Sequence, residues 1–392
     1  MSSSPHPGNP PVVIAGAGPV GLTLALALAR AGVRSLILEK KAELDPRSRA
    51  TLIVPRSLQL FEELGVLSAF LAKGQRNPSL RILRASDRKR LLQFDFDAVA
   101  GRTTTPYALA ISQDITERIL LDAVLQTAAV EVAFGAALEG FTATRDGVIA
   151  RATDNRVIKA QFLVGADGAH STVREQLGLR LEGKTYPTRA ALADVRVDPA
   201  RDTLSGWLAD PKATSFTIAI RFADGVWRII EAAVPDDLGD EELDARARTN
   251  TEALFGRGAW RETLWTAAYR KHERRAERFV DGRVILAGDA AHLNSPAGGQ
   301  GMNVGLADAD RLAKALVEAL SPLADATSAL AAYERERQVA FDRDVRGLTD
   351  ALERMESAPS WARSFGISMI GLAKVAGLEQ RVARRLSMLE PT

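Results

Sequence analysis

Three segments carry residue types and spacings that can do chemistry: Gly16-Ala-Gly18-Pro-Val-Gly21, then Gly165-Ala-Asp167-Gly168, then Gly288-Asp289-Ala-Ala-His292 running into Pro296-Ala-Gly-Gly-Gln-Gly301-Met-Asn303. Glycines at such short intervals let backbone N–H groups close on phosphate oxygens, and a lone carboxylate at a strand end accepts hydrogen bonds from a diol. Their order and wide separation suit a chain that touches one long dinucleotide at several points. Other chemistries are poorly served. The 392 residues include no cysteine, which removes disulfides, thiol nucleophiles and Cys-ligated metals, and the four histidines (His6, His170, His272, His292) lie far apart. A net charge of +2 offers no chain-wide field to nucleic acid or to an anionic membrane.

Elements must place these segments. Pro11 to Ala15 reads as a short buried strand, followed by the glycine turn, a helix from about Val20 to Ala31 and a second strand, Ser35 to Glu39. In this βαβ unit Gly16 permits the tight turn, Gly18 lets the backbone approach a pyrophosphate, and Gly21 lets the helix pack on the strand. Glu39 follows Gly21 by about eighteen residues, where a carboxylate accepts a ribose diol and repels a 2′-phosphate. The device recurs twice. Phe162 to Val164 delivers Gly165-Ala-Asp167-Gly168, with Ser171 as the helix N-cap, and Val284 to Ala287 delivers Gly288-Asp289 ahead of a helix from about Met302. Leu138 to Thr144 and Val148 to Thr153 read as a hairpin about Asp146-Gly147. The first motif alone does not separate FAD from NAD.

Between Tyr186 and Val280 the pattern changes to alternation, with strands expected at Ala190 to Val197, Leu204 to Ala209, Ser215 to Phe222 and Val226 to Val234. Trp207, Phe216, Phe222, Trp227, Trp260, Trp265 and Tyr269 fall in or beside this layer, in a chain that is only 6% aromatic, and could line a pocket. The basic run Arg270-Lys-His272-Glu-Arg274-Arg275 reads as a solvated, salt-bridged segment. Met1 to Pro10 lacks the order of a signal peptide, and neither Leu22 to Ala29 nor Phe365 to Leu378 could span a bilayer, so a cytoplasmic location is expected. After Arg311 the chain reads as helical, broken at Pro359, with a final helix from about Ser360 to Leu389. That helix is expected to pack on the main body or on a second subunit rather than on a membrane, giving a monomer or homodimer.

With these segments in this order, the chain resembles the group A flavoprotein monooxygenases, the FAD-dependent aromatic hydroxylases with the fold of p-hydroxybenzoate hydroxylase, over most of residues 11 to 345. The resemblance implies an α/β fold: a Rossmann-like FAD-binding domain, an inserted β-sheet substrate domain and C-terminal helices. The FAD domain would be discontinuous, at residues 11–75, 100–185 and 278–345; the sheet domain would take 76–99 and 186–277, and the helical segment 346–392. Gly16, Gly18 and Gly21 resemble the family's ADP-binding turn, and Gly165 to Arg174, with Asp167, the motif implicated in FAD and NAD(P)H binding. Glu39 resembles the acid on the adenosine ribose, and its neighbour Lys40 is counted with the cofactor-binding residues. Arg49 resembles the arginine that meets the mobile flavin, and Gln113 the polar residue near the pyrophosphate and ribityl chain. Asp289 resembles the ribityl acid, while Gly301, Met302 and Asn303 resemble the backbone that faces the flavin pyrimidine ring. Pro296 is placed on the cavity wall beside the ring, and with Arg49 forms the catalytic set; His292 is read as structural. One departure follows, since relatives often run Asp-Ala-x-Asn-Leu-Ala-Trp-Lys where this chain has Asp308-Ala-Asp-Arg311-Leu-Ala-Lys314-Ala315.

The implied reaction belongs to secondary metabolism: NADH or NADPH reduces FAD, O2 adds to give a C4a-hydroperoxyflavin, and one oxygen passes to an aromatic or polyketide-like small molecule. The protein's share is placement, water exclusion and charge stabilisation. Baeyer–Villiger, epoxidising and ubiquinone-pathway monooxygenases share this frame, and a non-catalytic flavin-holding protein is the alternative from another class.

Overall fold

The computed structural model describes residues 9–45, 50–84, 89–201, 206–209, 217–294, 300–346 and 377–389. At its centre is a six-stranded sheet in which β1 (Val12–Ala15) is flanked by β2 (Ser35–Glu39) and by Phe162–Gly165, both parallel to it. Val130–Phe134 extends the sheet beyond β2, and Val284–Leu286 extends it beyond Phe162–Gly165, again in parallel. Val280–Asp281 closes that edge antiparallel. Continuous apolar runs suit such strands because both faces are covered: Val12, Val13, Ile14, Leu163, Val164, Val284 and Ile285 are buried completely. The register sets Ala15 beside Gly165 and Gly165 beside Leu286, so three glycine-bearing segments leave one edge of the sheet together.

Helix α1 (Pro19–Arg30) starts on a proline, which gives up no needed N–H at that position, and packs along the helix Gly301–Ala319. The two approach closely because Gly288 and Gly305 leave room for Val20; a Cβ on either would lie 2.8 or 2.7 Å from its Cγ2.

An eight-stranded sheet forms the second layer, in the order His292–Leu293, Trp260–Ala276, Leu181–Val197, Val226–Val234, Thr217–Arg221, Gly206–Ala209, Ser79–Arg84, Arg90–Asp95. Its spine is the antiparallel pair of 17-residue strands Leu181–Val197 and Trp260–Ala276. One face is covered by the helix Asp240–Phe255, where Trp227 packs edge-on to Phe255 with Ala247 and Leu254. The other face joins Ile220, Phe222 and Val226 to Leu52, Ala108 and Ala110 and to Ala383 and Leu386 of the helix Leu378–Ser387.

One reading changes. The basic run 270–275 is not a solvated segment but the end of a long strand, with Lys271 and Glu273 buried and Glu273 accepting the Tyr186 hydroxyl at 2.8 Å. Arg270 pairs with Asp236 at 2.9 Å, and Arg274 donates to Thr185. Of the final helix expected from about Ser360, the described part is Leu378–Ser387, preceded by Gly377 with a left-handed backbone (φ 65°); residues 360–376 lie outside the described set, as do Leu348, Leu352 and Met355.

Candidate cofactor site

The first turn is shaped by what its glycines must avoid. Gly16 takes a positive φ of 104°, and a Cβ on it would sit 2.4 Å from the Ala166 carbonyl oxygen, so the first and second motifs touch through bare backbone. On Gly21 a Cβ would lie 2.0 Å from the Gly16 oxygen. Gly18 differs: its backbone is ordinary and extended, and beyond its chain neighbours no described atom lies within 4 Å of where a side chain would begin. That open space stands before the N-terminus of α1, where helix N–H groups and partial positive charge gather. Glu39 borders the same turn, accepting the Ala17 N–H through Oε2 at 2.7 Å and the Lys41 N–H through Oε1 at 2.9 Å. Lys40 is exposed beside it.

Ser171 caps the helix Thr172–Gln176, its Oγ accepting the Arg174 N–H at 3.0 Å. Asp167 Oδ2 accepts the Val173 N–H at 3.3 Å, while its Oδ1 is buried without a partner; burial pushes this carboxyl up, hydrogen bonds offsetting only part of the rise. The buried Arg174 side chain donates to the Ala169 carbonyl at 2.9 Å and to the Ala290 carbonyl at 3.2 Å, tying the second motif to the third.

The third motif is organised by Asp308, fully buried on the helix Gly301–Ala319. Its Oδ2 accepts the Gly288 N–H at 2.9 Å and meets His292 Nε2 at 2.7 Å, and its Oδ1 accepts Arg337 Nε at 2.6 Å. Burial opposes the charge, yet His292 and Arg337 hold this carboxyl down at about 2. Its stabilising contribution is therefore present above the ordinary value of 3.8 and is lost only as pH falls through about 2. His292 thus serves the turn from inside, while Asp289 stands exposed on the short 3-10 turn Gly288–Ala290. Two flanking residues carry unmet polar atoms: both amide atoms of Asn294 and Nε2 of Gln300 are buried with no hydrogen-bond partner.

Gln113 opens the helix Gln113–Leu125 and is held at both ends of its amide. Nε2 donates to Glu117 Oε1 at 2.8 Å, and Oε1 accepts the Ala50 N–H at 3.4 Å. Glu117 is only 7% exposed, and burial pushes its carboxyl up to about 7; the Gln113 hydrogen bond and Lys41 oppose the rise, and Glu39 and Asp114 add to it. Asn303 is buried and acts as a clip, accepting the Val54 N–H at 3.0 Å and donating to the Leu52 carbonyl at 2.9 Å. Val304 N–H donates to Gln300, and the amides of Gly301 and Met302 stand at the helix start. Arg49 and Pro296 lie outside the described residues, as do Gly298 and Gly299; their flanks Ala50, Asn294 and Gln300 are placed. Of the aromatics, Trp227 is core, Phe222 and Trp265 flank Arg228, and Phe216 and the Trp207 side chain are outside the described set.

The helix departure seen in the sequence has a local cause. Asp310 pairs with Arg56 at 2.6 Å and with Lys314 at 2.8 Å, and Arg311 pairs with Glu336, so this helix face meets its neighbours through ion pairs. Sequence reasoning assigned no role to Glu117 or Arg337, and named Arg174 only as the end of the second motif. Glu117 carried a signal in its four-residue spacing from Gln113 along a helix.

Do these residues fit FAD? Asp167 Oδ1, Asn294 and Gln300 Nε2 are orphaned buried atoms on the second and third motifs, each costly unless a ligand meets it. The space before Gly18 fits a pyrophosphate, and Glu39 stands where a diol would meet it. The residues present fit the group.

Two outcomes follow. A Cβ on Gly18 meets no described atom beyond its chain neighbours, so apo Gly18→Val is expected to keep the melting temperature of the apo parent while FAD affinity, read by flavin fluorescence titration, falls at least about tenfold, or about 1.4 kcal/mol; unchanged affinity refutes the placement. Glu117 in the folded state holds its proton between 4.5 and about 7, so wild-type stability falls as pH rises through that window, by at most about 3 kcal/mol. Glu117→Gln lacks this loss, and its stability relative to wild type should be greater at pH 8 than at pH 5; a pH-independent difference contradicts the burial argument.

Comparison with known proteins agrees with this geometry. A family model described as "FAD binding domain" matches residues 9–346. The chain is 33% identical over 362 residues to a flavin-dependent monooxygenase of Mycobacteroides abscessus, covering 89% of this chain and 75% of that protein. It is 32% identical over 394 residues to the 6-methylpretetramide 4-monooxygenase of Streptomyces rimosus, covering 97% and 69%. Among solved structures, p-nitrophenol 4-monooxygenase from Pseudomonas putida superposes with a TM-score of 0.88 at 25% identity, covering 97% of this chain and 98% of that one. With the family model spanning most of its length and relatives above 30% identity, the chain belongs to the FAD-binding-domain family and is an FAD-dependent monooxygenase of the aromatic-hydroxylase type.

Proposed function

We propose that this enzyme hydroxylates a polyketide-like aromatic small molecule, with NADH or NADPH as electron donor and O2 as oxygen source. The observation that carries this reading is the meeting of three strand ends at one sheet edge, next to a second sheet on which Trp265 is half-buried. Relatives acting on 6-methylpretetramide and p-nitrophenol support the substrate class, as does a solved ternary complex of aklavinone-11 hydroxylase with FAD and aklavinone, similar with a TM-score of 0.77 at 28% identity over 90% of this chain and 70% of that one.

Bound FAD supplies the two-electron chemistry through which the reductant activates O2. This chain's residues do the placing. The N–H groups at the start of α1 and the open space before Gly18 bind the pyrophosphate, while Glu39 accepts the adenosine ribose hydroxyls. Amides at the start of Gly301–Ala319 stabilise negative charge at the ring by about 0.3–1 kcal/mol. Asp289 on its exposed turn receives the ribityl hydroxyls. Trp265, half-buried on the second sheet, supplies an apolar wall that keeps water from the reacting carbon. Among the described residues no helix is long and apolar enough to cross a membrane, and we place the enzyme in the cytoplasm as a monomer or homodimer.

A panel of phenols and aromatic polyketides tests the assignment. At least one compound is expected to accelerate NAD(P)H oxidation by the purified holoenzyme and to gain the mass of one oxygen atom. A flavin-loaded protein whose NAD(P)H oxidation no compound stimulates would instead be a flavin holder.

A further inference from the structure

Arg228 lies in the middle of Val226–Val234, 1% exposed, on the sheet face opposite Trp227. In register across three neighbouring strands stand Trp265, Asp194 and Arg228, so their side chains share that face. Arg228 Nε and Nη2 donate to the two Asp194 carboxylate oxygens, each at 2.7 Å, which fixes the plane of the guanidinium. The remaining nitrogen, Nη1, donates to the Ala50 carbonyl at 3.1 Å and reaches Thr51 Oγ1 at 3.5 Å. The guanidinium carbon sits 5.2 Å from the Phe222 ring centre and 5.7 Å from that of Trp265.

Stability alone does not call for this arrangement, because apolar residues of similar volume commonly replace a buried ion pair without loss. A planar fork does what an apolar residue cannot, holding a carboxylate and a carbonyl in one fixed geometry. The peptide it holds is also gripped from the other side. Ala50 N–H donates to Gln113 Oε1 at 3.4 Å, and Gln113 is in turn fixed by Glu117. One residue is thus clamped between the sheet that carries Phe222 and Trp265 and the helix that opens on Gln113.

We propose that Arg228 is a positioning residue which, anchored by Asp194, holds the Ala50–Thr51 backbone against the eight-stranded sheet and thereby sets the spacing between that sheet and the cofactor. This rests on the hydroxylase reading. The spacing matters because oxygen transfer competes with loss of the oxidant. In the productive reaction two electrons from NAD(P)H and a proton accompany O2, one oxygen atom entering the substrate and the other leaving as water; in the unproductive one both oxygen atoms leave as hydrogen peroxide. A displacement of about 1 Å is enough to change a bimolecular alignment about a hundredfold.

The test uses the full-length holoenzyme and its Arg228→Met and Asp194→Asn variants, the second keeping the fold within reach should the first fail to fold. Hydrogen–deuterium exchange at the Ala50–Val54 amides is expected to speed up at least tenfold in either variant, with β1 unchanged and FAD affinity within threefold of the parent. The fraction of consumed NAD(P)H recovered as hydroxylated product should fall at least tenfold, peroxide making up the difference. Arg228→Lys, able to reach Asp194 or Ala50 but not both, should restore only part of the coupling. Unchanged exchange at Ala50–Val54, or product yield per NAD(P)H equal to wild type, overturns the proposal. So does FAD loss in step with coupling, which marks general destabilisation. A wild-type protein that consumes no NAD(P)H with any aromatic compound sinks the hydroxylase reading instead, while the exchange rates still decide whether Arg228 holds this backbone.

Discussion

Parallel pairing of β1 with Phe162–Gly165, and of that strand with Val284–Leu286, is the constraint on which the rest depends. Parallel strands point the same way, so the segments that follow them emerge at one edge, and the matched register of Ala15, Gly165 and Leu286 brings them out level. The requirement then falls on small residues. Gly16 must touch Ala166, and Gly288 and Gly305 must admit Val20, because any Cβ at these contacts would force two backbones apart. Sequence separation of well over a hundred residues between motifs disappears in three strand widths of about 5 Å each.

Charge buried beneath this edge gives it rigidity. Asp308 gathers Gly288 N–H, His292 and Arg337 in a site that water does not reach, and Arg174 links the second motif to Ala290 from the other side. Breaking a buried pair by removing one member costs about 3–5 kcal/mol, so these groups hold the turn more firmly than surface pairs such as Lys41–Asp45 could. Among the buried polar atoms without partners, those of Asp167, Asn294 and Gln300 belong to the same turns. Turns braced from behind by a buried ion cluster, with unmet polar atoms at their tips, suit a preformed binding site.

How much of this was legible in the sequence depends on distance along the chain. The β1–α1–β2 unit was readable because apolar runs, glycine spacing and Glu39 are all local, and Ser171 was readable as a cap for the same reason. Asp308 was visible only as part of a motif; its partners lie 16 to 29 residues away, and nothing in periodicity announces a buried ion cluster. The strand Trp260–Ala276 was missed, since buried Lys271 and Glu273 break the apolar alternation that identifies strands, and only Tyr186 on the neighbouring strand explains the burial of Glu273. Arg228 could not be found at all without the sheet order, because its meaning lies in Asp194 and Ala50, which come from other strands and another layer.

The most direct measurement is a crystal structure of the protein grown with FAD. The account predicts a pyrophosphate against the Gly16–Gly21 turn, an adenosine ribose on Glu39, and an isoalloxazine ring between the start of Gly301–Ala319 and the sheet face that carries Phe222 and Trp265. Density for the flavin elsewhere, or a colourless crystal in which that edge binds no nucleotide, would contradict it.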